Sequence, residues 1–186
     1  MKNGFSLIEL LITLAIVGLV LTFGAPQFNG AMQNSRLVSQ ANAMKGTIAY
    51  ARTAAVKGSV PTVTLCGSSD LDSCNTAEWE LGWIIFEDLN SDGLRTNNED
   101  ILRVGEALNS GNTLRTFGFT SDQFIRFDRA GTLNQSGTFV FCDSRGTSEA
   151  RAIVVNISGK TRKAIDEDAV ANHIVNDHQG DDVACI

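Results

Sequence analysis

Asp88-Leu89-Asn90-Ser91-Asp92-Gly93, followed by Glu99, places oxygen donors at alternate positions and a carboxylate beyond them. Hard cations such as calcium take such a set, and the spacing meets the pattern D-x-[DN]-x-[DN]-G-x5-E in full. The candidate ligands are Asp88, Asn90, Asp92 and Glu99. Two features oppose calcium: a strand rather than a helix leads into the loop, and Arg95 brings a cation beside it. The same residues make a polar hairpin turn. That is the preferred reading, with no metal and no cofactor expected.

A second cluster is basic. Arg145, Arg151, Lys160, Arg162 and Lys163 face only Glu149 within residues 145–163. On adjacent strands such cations attract phosphate, and Lys160, Arg162 and Lys163 are the candidate DNA contacts. The whole chain argues the other way, with a formal charge of −6 and a pI of about 4.8, where a nucleic-acid-binding domain is usually basic. Asp166, Glu167, Asp168, Asp177, Asp181 and Asp182 then follow, with no Lys or Arg between Ala164 and Ile186. A solvated strand face with local ion pairs is the preferred reading. His173 and His178 lie in this acidic segment without metal-ligand spacing and are expected in surface loops. No nucleophile has a visible base partner and no glycine-rich phosphate loop occurs, so the chain is not expected to be an enzyme.

Cys66, Cys74, Cys142 and Cys185 form no CxxC pair, which argues against a zinc ribbon. Their even number suits two disulfides in an oxidising compartment. Four thiols allow three pairings. The favoured one joins Cys66 to Cys74 around a short loop and Cys142 to Cys185, tying the last residues to a strand.

One acid is out of place. Glu9 lies inside Phe5–Phe23, a run of 19 residues that is long enough to cross a bilayer as a helix. No charge occurs from Leu10 to Ser35, and Lys2 precedes the run, so the N-terminus is expected to stay cytoplasmic and the remainder to be exported. An acid in such a segment costs about 2.5–3.5 kcal/mol near a helix centre and calls for a cation, here expected from a neighbouring subunit.

The elements that position these groups are legible from periodicity. Phe28, Met32, Leu37, Ala41, Met44, Ile48, Ala51 and Ala55 continue the apolar run as an amphipathic stripe until Gly58 and Pro61 end it. Residues 5–57 thus read as one helix of roughly 80 Å, kinked or locally melted near Pro26. Short strands follow: Val60–Cys66, Trp83–Phe86, Ile101–Val104, Phe124–Phe127, Thr138–Cys142, Ile153–Ile157 and Arg162–Ile165. One long helix followed by strands is an α+β arrangement, a helix packed on a β-rich C-terminal head.

Gly4-Phe5-Ser6-Leu7-Ile8-Glu9 resembles the N-terminal signal of type IV prepilins. The resemblance implies cleavage by a prepilin peptidase between Gly4 and Phe5, N-methylation of Phe5, and pairing of Glu9 with the N-terminal amine of an adjacent subunit. The head is similar to the group of minor pilins and pseudopilins that includes FimT, FimU and GspH. The matching residues are Leu65-Cys66 with Cys74, Trp79, Gly82–Gly93, Phe127–Gly131, Phe141-Cys142-Asp143 and Ile157–Arg162. DNA-uptake pilins of the FimT kind carry Gly-Arg-x-Arg where this chain has Gly159-Lys160-Thr161-Arg162. Lysine keeps the charge there but loses the bidentate geometry.

The resemblance implies four segments: a leader at 1–4, a membrane and filament-core helix at 5–28, its amphipathic continuation at 29–57, and an extracytoplasmic head at 58–186. The expected role is that of a minor pilin that initiates or caps a type IV pilus. The alternatives are a type II secretion pseudopilin and a DNA-binding competence pilin. Expected partners are other minor and major pilins, the prepilin peptidase and the inner membrane. The chain is expected to cross that membrane once, with its head in the periplasm, and then to join a surface pilus.

Overall fold

The computed structural model describes residues 5–108, 111–167 and 172–185, and only the backbone of 23–27. One helix, α1, runs from Leu7 to Lys57. Its backbone stays helical through Pro26. Local melting does not occur there, because proline removes one amide and leaves the other bonds of the ladder in place. The chain forms two compact units, Met1–Arg36 and Leu37–Ile186.

In the first unit, the described side chains from Leu7 to Leu21 are almost all apolar and exposed, Leu7 at 77% and Leu11 at 53%. Thr13 in this stretch and Thr22 just after it bond back to their own helix, Thr13 Oγ1 to the Leu10 carbonyl and Thr22 Oγ1 to that of Gly18.

In the second unit the rest of α1 buries one stripe: Leu37, Met44, Ile48, Ala51 and Ala55. Eight strands follow: β1 (Thr62–Gly67), β2 (Trp83–Asp88), β3 (Ile101–Gly105), β4 (Thr113–Phe117), β5 (Phe124–Asp128), β6 (Gly137–Cys142), β7 (Arg151–Val155) and β8 (Thr161–Lys163). They pair antiparallel into two sheets, ordered β3-β2-β1-β5 and β4-β6-β7-β8.

Alternation along each strand gives three apolar layers. Val63, Leu65, Ile85, Phe127, Phe139, Phe141, Ile153 and Val155 meet the α1 stripe in the central core. The outward residues of β1 and β2, Cys66, Ile84 and Phe86, pack beneath Leu71 and Cys74. Those of β6 and β7, Val140, Cys142, Ala152 and Val154, pack beneath Ile174, Val175 and Val183 of the C-terminal segment. The Cys66–Cys74 and Cys142–Cys185 disulfides each fasten an outer cover to a central strand.

The sequence reading omits β4, and β7 begins two residues earlier than expected, at Arg151. Ile157 instead lies exposed in the turn to β8.

Candidate functional site

Glu9 stands in the first turn of α1, where a negative charge complements the helix dipole. The Ser6 carbonyl accepts from the amides of Glu9 and Leu10, at 3.1 and 3.2 Å, and starts the helix there. Phe5 is 80% exposed, and Gly4 lies outside the described residues. Glu9 makes no ion pair among the described residues. Among the described residues no helix is long and apolar enough to cross a membrane. The described side chains of the apolar run stop at Thr22, and its last residue, Phe23, begins the stretch known only as backbone.

The loop after β2 folds on its own hydrogen bonds. Asp88 is fully buried, and its Oδ2 accepts from Thr64 Oγ1 at 2.7 Å and from the Gly93 amide at 3.0 Å. Asn90 Oδ1 takes the Asp92 amide, and Asp92 Oδ1 takes that of Leu94. Glu99, 1% exposed, clamps both ends of the loop by accepting from the amides of Leu89 and Thr96 at 2.9 and 2.8 Å. Among the described residues no three Asp, Glu, His or Cys side chains gather to hold a metal ion. Asp88 Oδ2, Asp92 Oδ1 and both Glu99 oxygens are engaged by the loop's own amides, whereas Asp88 Oδ1 is buried without a hydrogen-bond partner. Arg95 turns out of the loop, bonding the Glu99 carbonyl and Asp72.

Strand alternation divides the basic cluster. Lys163 pairs with Ile153 and shares its helix-facing side, whereas Arg162 pairs with Val154 on the outward side. Arg162 reaches Glu167 at 3.4 Å. Arg145 is held by Asp143 at 2.7 Å and Glu149 at 3.2 Å. Burial works to raise the Asp143 carboxyl, but the Arg145 guanidinium and amide outweigh it and hold it below the usual range. Of the candidate DNA contacts, Lys160 and Arg162 line one shallow groove with Val154, Asn156 and Thr161, while Lys163 lies on the other side of the sheet.

His178 is not the surface-loop residue expected. Its side chain is 8% exposed and its Nδ1 lies 3.3 Å from Thr138 Oγ1, on the outer side of β6. Asp177 Oδ2 approaches the same nitrogen, at 3.5 Å. Both neighbours meet one ring atom, so the trio fastens the C-terminal segment and is not arranged as a relay from hydroxyl to acid.

The residues that carry the sequence resemblance build the head. Trp79 is fully buried, donates Nε1–H to the Asp122 carbonyl at 2.7 Å, and meets Phe139 edge-on. Asp128 closes the β5–β6 turn on the Ala130 and Thr132 amides, while Arg129 Nε donates to the Val60 carbonyl at 3.0 Å. Asn156 Oδ1 accepts from the Lys160 amide to close the β7–β8 turn.

Sequence reasoning missed Arg52, whose Nε donates to the carbonyls of Gly131 and Ser158 at 3.1 and 3.2 Å. It thus ties both turns to α1. It also missed the partly buried pair of Arg115 with Glu80. Burial works to raise the Glu80 carboxyl, yet the Arg115 bond and the Leu114 amide hold it below its ordinary value. The one signal for Arg52 was a cation beside the apolar stripe of α1.

Comparison with known proteins agrees with this architecture. The family described as Type II transport protein GspH matches residues 40–159, and the prokaryotic N-terminal methylation motif matches residues 1–25. No curated protein matches the chain in sequence. Two crystal forms of the type IV minor pilin FimU from Pseudomonas aeruginosa are similar in structure. One has a TM-score of 0.55 at 21% identity, covering 70% of this chain and 90% of that one. The other has a TM-score of 0.53 at 22% identity, covering 68% and 91%. At this identity the likeness establishes the shared fold, a long helix on antiparallel sheets. These families are structural, not enzymatic. With most of the head inside one family match and the methylation motif before it, the chain belongs to the GspH family, within the type IV pilin-like group of minor pilins and pseudopilins.

Proposed function

We propose that this protein is a minor pilin that takes part in initiating or capping a type IV pilus. One observation carries the reading: large apolar side chains from Leu7 to Leu21 are exposed around a helix whose single acid, Glu9, makes no ion pair among the described residues. Such a surface is stable only in lipid or against other apolar helices. The inner membrane receives it first and a filament core receives it afterwards, with other minor and major pilins as neighbours. Cleavage by the prepilin peptidase after Gly4 frees the Phe5 amine, and Glu9 pairs with that amine on an adjacent subunit. The 5–28 segment is the membrane and filament part, 29–57 joins it to the head, and the head at 58–186 faces the periplasm. The fold shared with FimU supports a pilus role.

A pseudopilin of type II secretion is the second reading, favoured by the description of the matched family. Shearing surface filaments from cells and reading N-terminal peptides by mass spectrometry separates the two. Methylated Phe5 in the sheared fraction is the expected result. A processed chain confined to the membrane fraction would favour the secretion machine. DNA capture has little geometric support, since Lys163 and Arg162 face opposite sides of the sheet.

A further inference from the structure

Within the second unit, α1 and the β7–β8 edge leave an open groove of about 340 Å³. Val38, Ala41 and Ile153 give it an apolar floor, and Lys45 and Lys163 stand at its rim. No acidic side chain lines it among the described residues, and neither lysine forms an ion pair there. Arg151 also borders the groove, but it already interacts with Asp143. Two cations without an ion pair among the described residues, over an apolar floor, stand out in a chain of formal charge −6.

We propose that this groove receives an acidic segment of a neighbouring pilin-type subunit. A carboxylate sits between Lys45 and Lys163, and an apolar side chain rests on Val38, Ala41 and Ile153. Charge complementarity selects the partner: a carboxylate relieves the repulsion between the lysines, and an apolar anchor beneath a charged rim is the anatomy of a protein interface. Nucleic acid fits less well, because phosphates gain nothing from the apolar floor.

The inference rests on the filament-subunit reading, and its test separates the two. Val38 is replaced by the photo-crosslinker p-benzoylphenylalanine in the full-length chain, in living cells whose processed chain and filaments are followed in parallel. The expected product is a crosslink to another protein bearing the N-terminal methylation motif, on a peptide that contains Asp or Glu. Adding Lys45→Glu with Lys163→Glu lowers its yield by about tenfold or more, whereas Lys45→Arg with Lys163→Arg keeps it. An unchanged melting temperature of the charge-reversed protein excludes misfolding as the cause. A crosslink only to lipid, nucleic acid or the chain itself overturns the proposal. So does a yield indifferent to charge reversal, or no crosslink from a chain present in filaments. In each of these the filament reading survives if methylated Phe5 is still found in the sheared fraction.

Discussion

Arg52 shows how one side chain organises two turns. Gly131 and Gly159 both take positive φ, 72° and 70°, and a Cβ on Gly159 would sit 2.3 Å from the Gly131 carbonyl oxygen. The turns come this close because Arg52 donates to a carbonyl of each. Arg52→Ala should cost about 0.5–1.5 kcal/mol, because the part-buried Gly131 carbonyl loses its donor while the exposed Ser158 carbonyl turns to water. Thermal melting of the full chain in detergent measures this, and Arg52→Lys should recover only part, since an ammonium lacks the fork. Acid provides a second test. The folded values of Glu80, Asp128 and Asp143 are all depressed. Their stabilisation is complete above the unfolded carboxylate pKa, near about 4, and is lost as pH falls through the lower folded values. The melting temperature should therefore stay level from pH 7 to about 5 and fall below about pH 4. A level profile down to pH 2 would contradict this.

The elements differ in how plainly the sequence announces them. The α1 stripe is legible because Leu37, Met44, Ile48, Ala51 and Ala55 recur at helical spacing and all are buried. β1, β2 and β6 are legible as apolar runs because both faces of each are covered. β4 is not, since Thr113-Leu114-Arg115-Thr116-Phe117 buries only alternate residues and its arginine is neutralised by Glu80, far away in sequence. The β7 boundary misleads for a related reason: Ile157 extends the apolar run but sits exposed in a turn. The loop at 88–99 displays ligand types faithfully, yet sequence cannot tell whether a carboxylate meets a metal or a backbone amide. His178 was hidden because its partner, Thr138, is 40 residues away. The C-terminal cover gives a test at this scale. Cys142→Ser removes the bond to Cys185 and should cost about 2–4 kcal/mol. Limited proteolysis should then cut within 172–185 before the sheets, whereas simultaneous loss of both sheets would show that the cover does not open separately.

At the scale of the molecule, the exposed apolar helix sets the constraint. Its surface needs lipid or like helices, and Glu9 is the only charge upon it. Glu9→Ala should leave the head folded and the leader cleaved, yet exclude the chain from sheared filaments. A normal filament content would remove Glu9 from assembly. The fold class and the machine's general type were legible because they depend on long-range composition: one apolar run, one amphipathic run, then strands. The surfaces that choose neighbours were not, because Lys45 and Lys163 are distant in sequence and meet only across the groove.

β6 is buried along its whole length, one face against the core and the other beneath the C-terminal segment. Such a strand offers no side on which sequence drift is cheap. Edge strands such as β3 and β8, with most of their residues partly or fully in solvent, are where the head has freedom to vary. Subunits of this design can therefore diversify their sheet edges while the interior stays fixed, and an assembly built from several of them can acquire distinct positions without any acquiring a new fold.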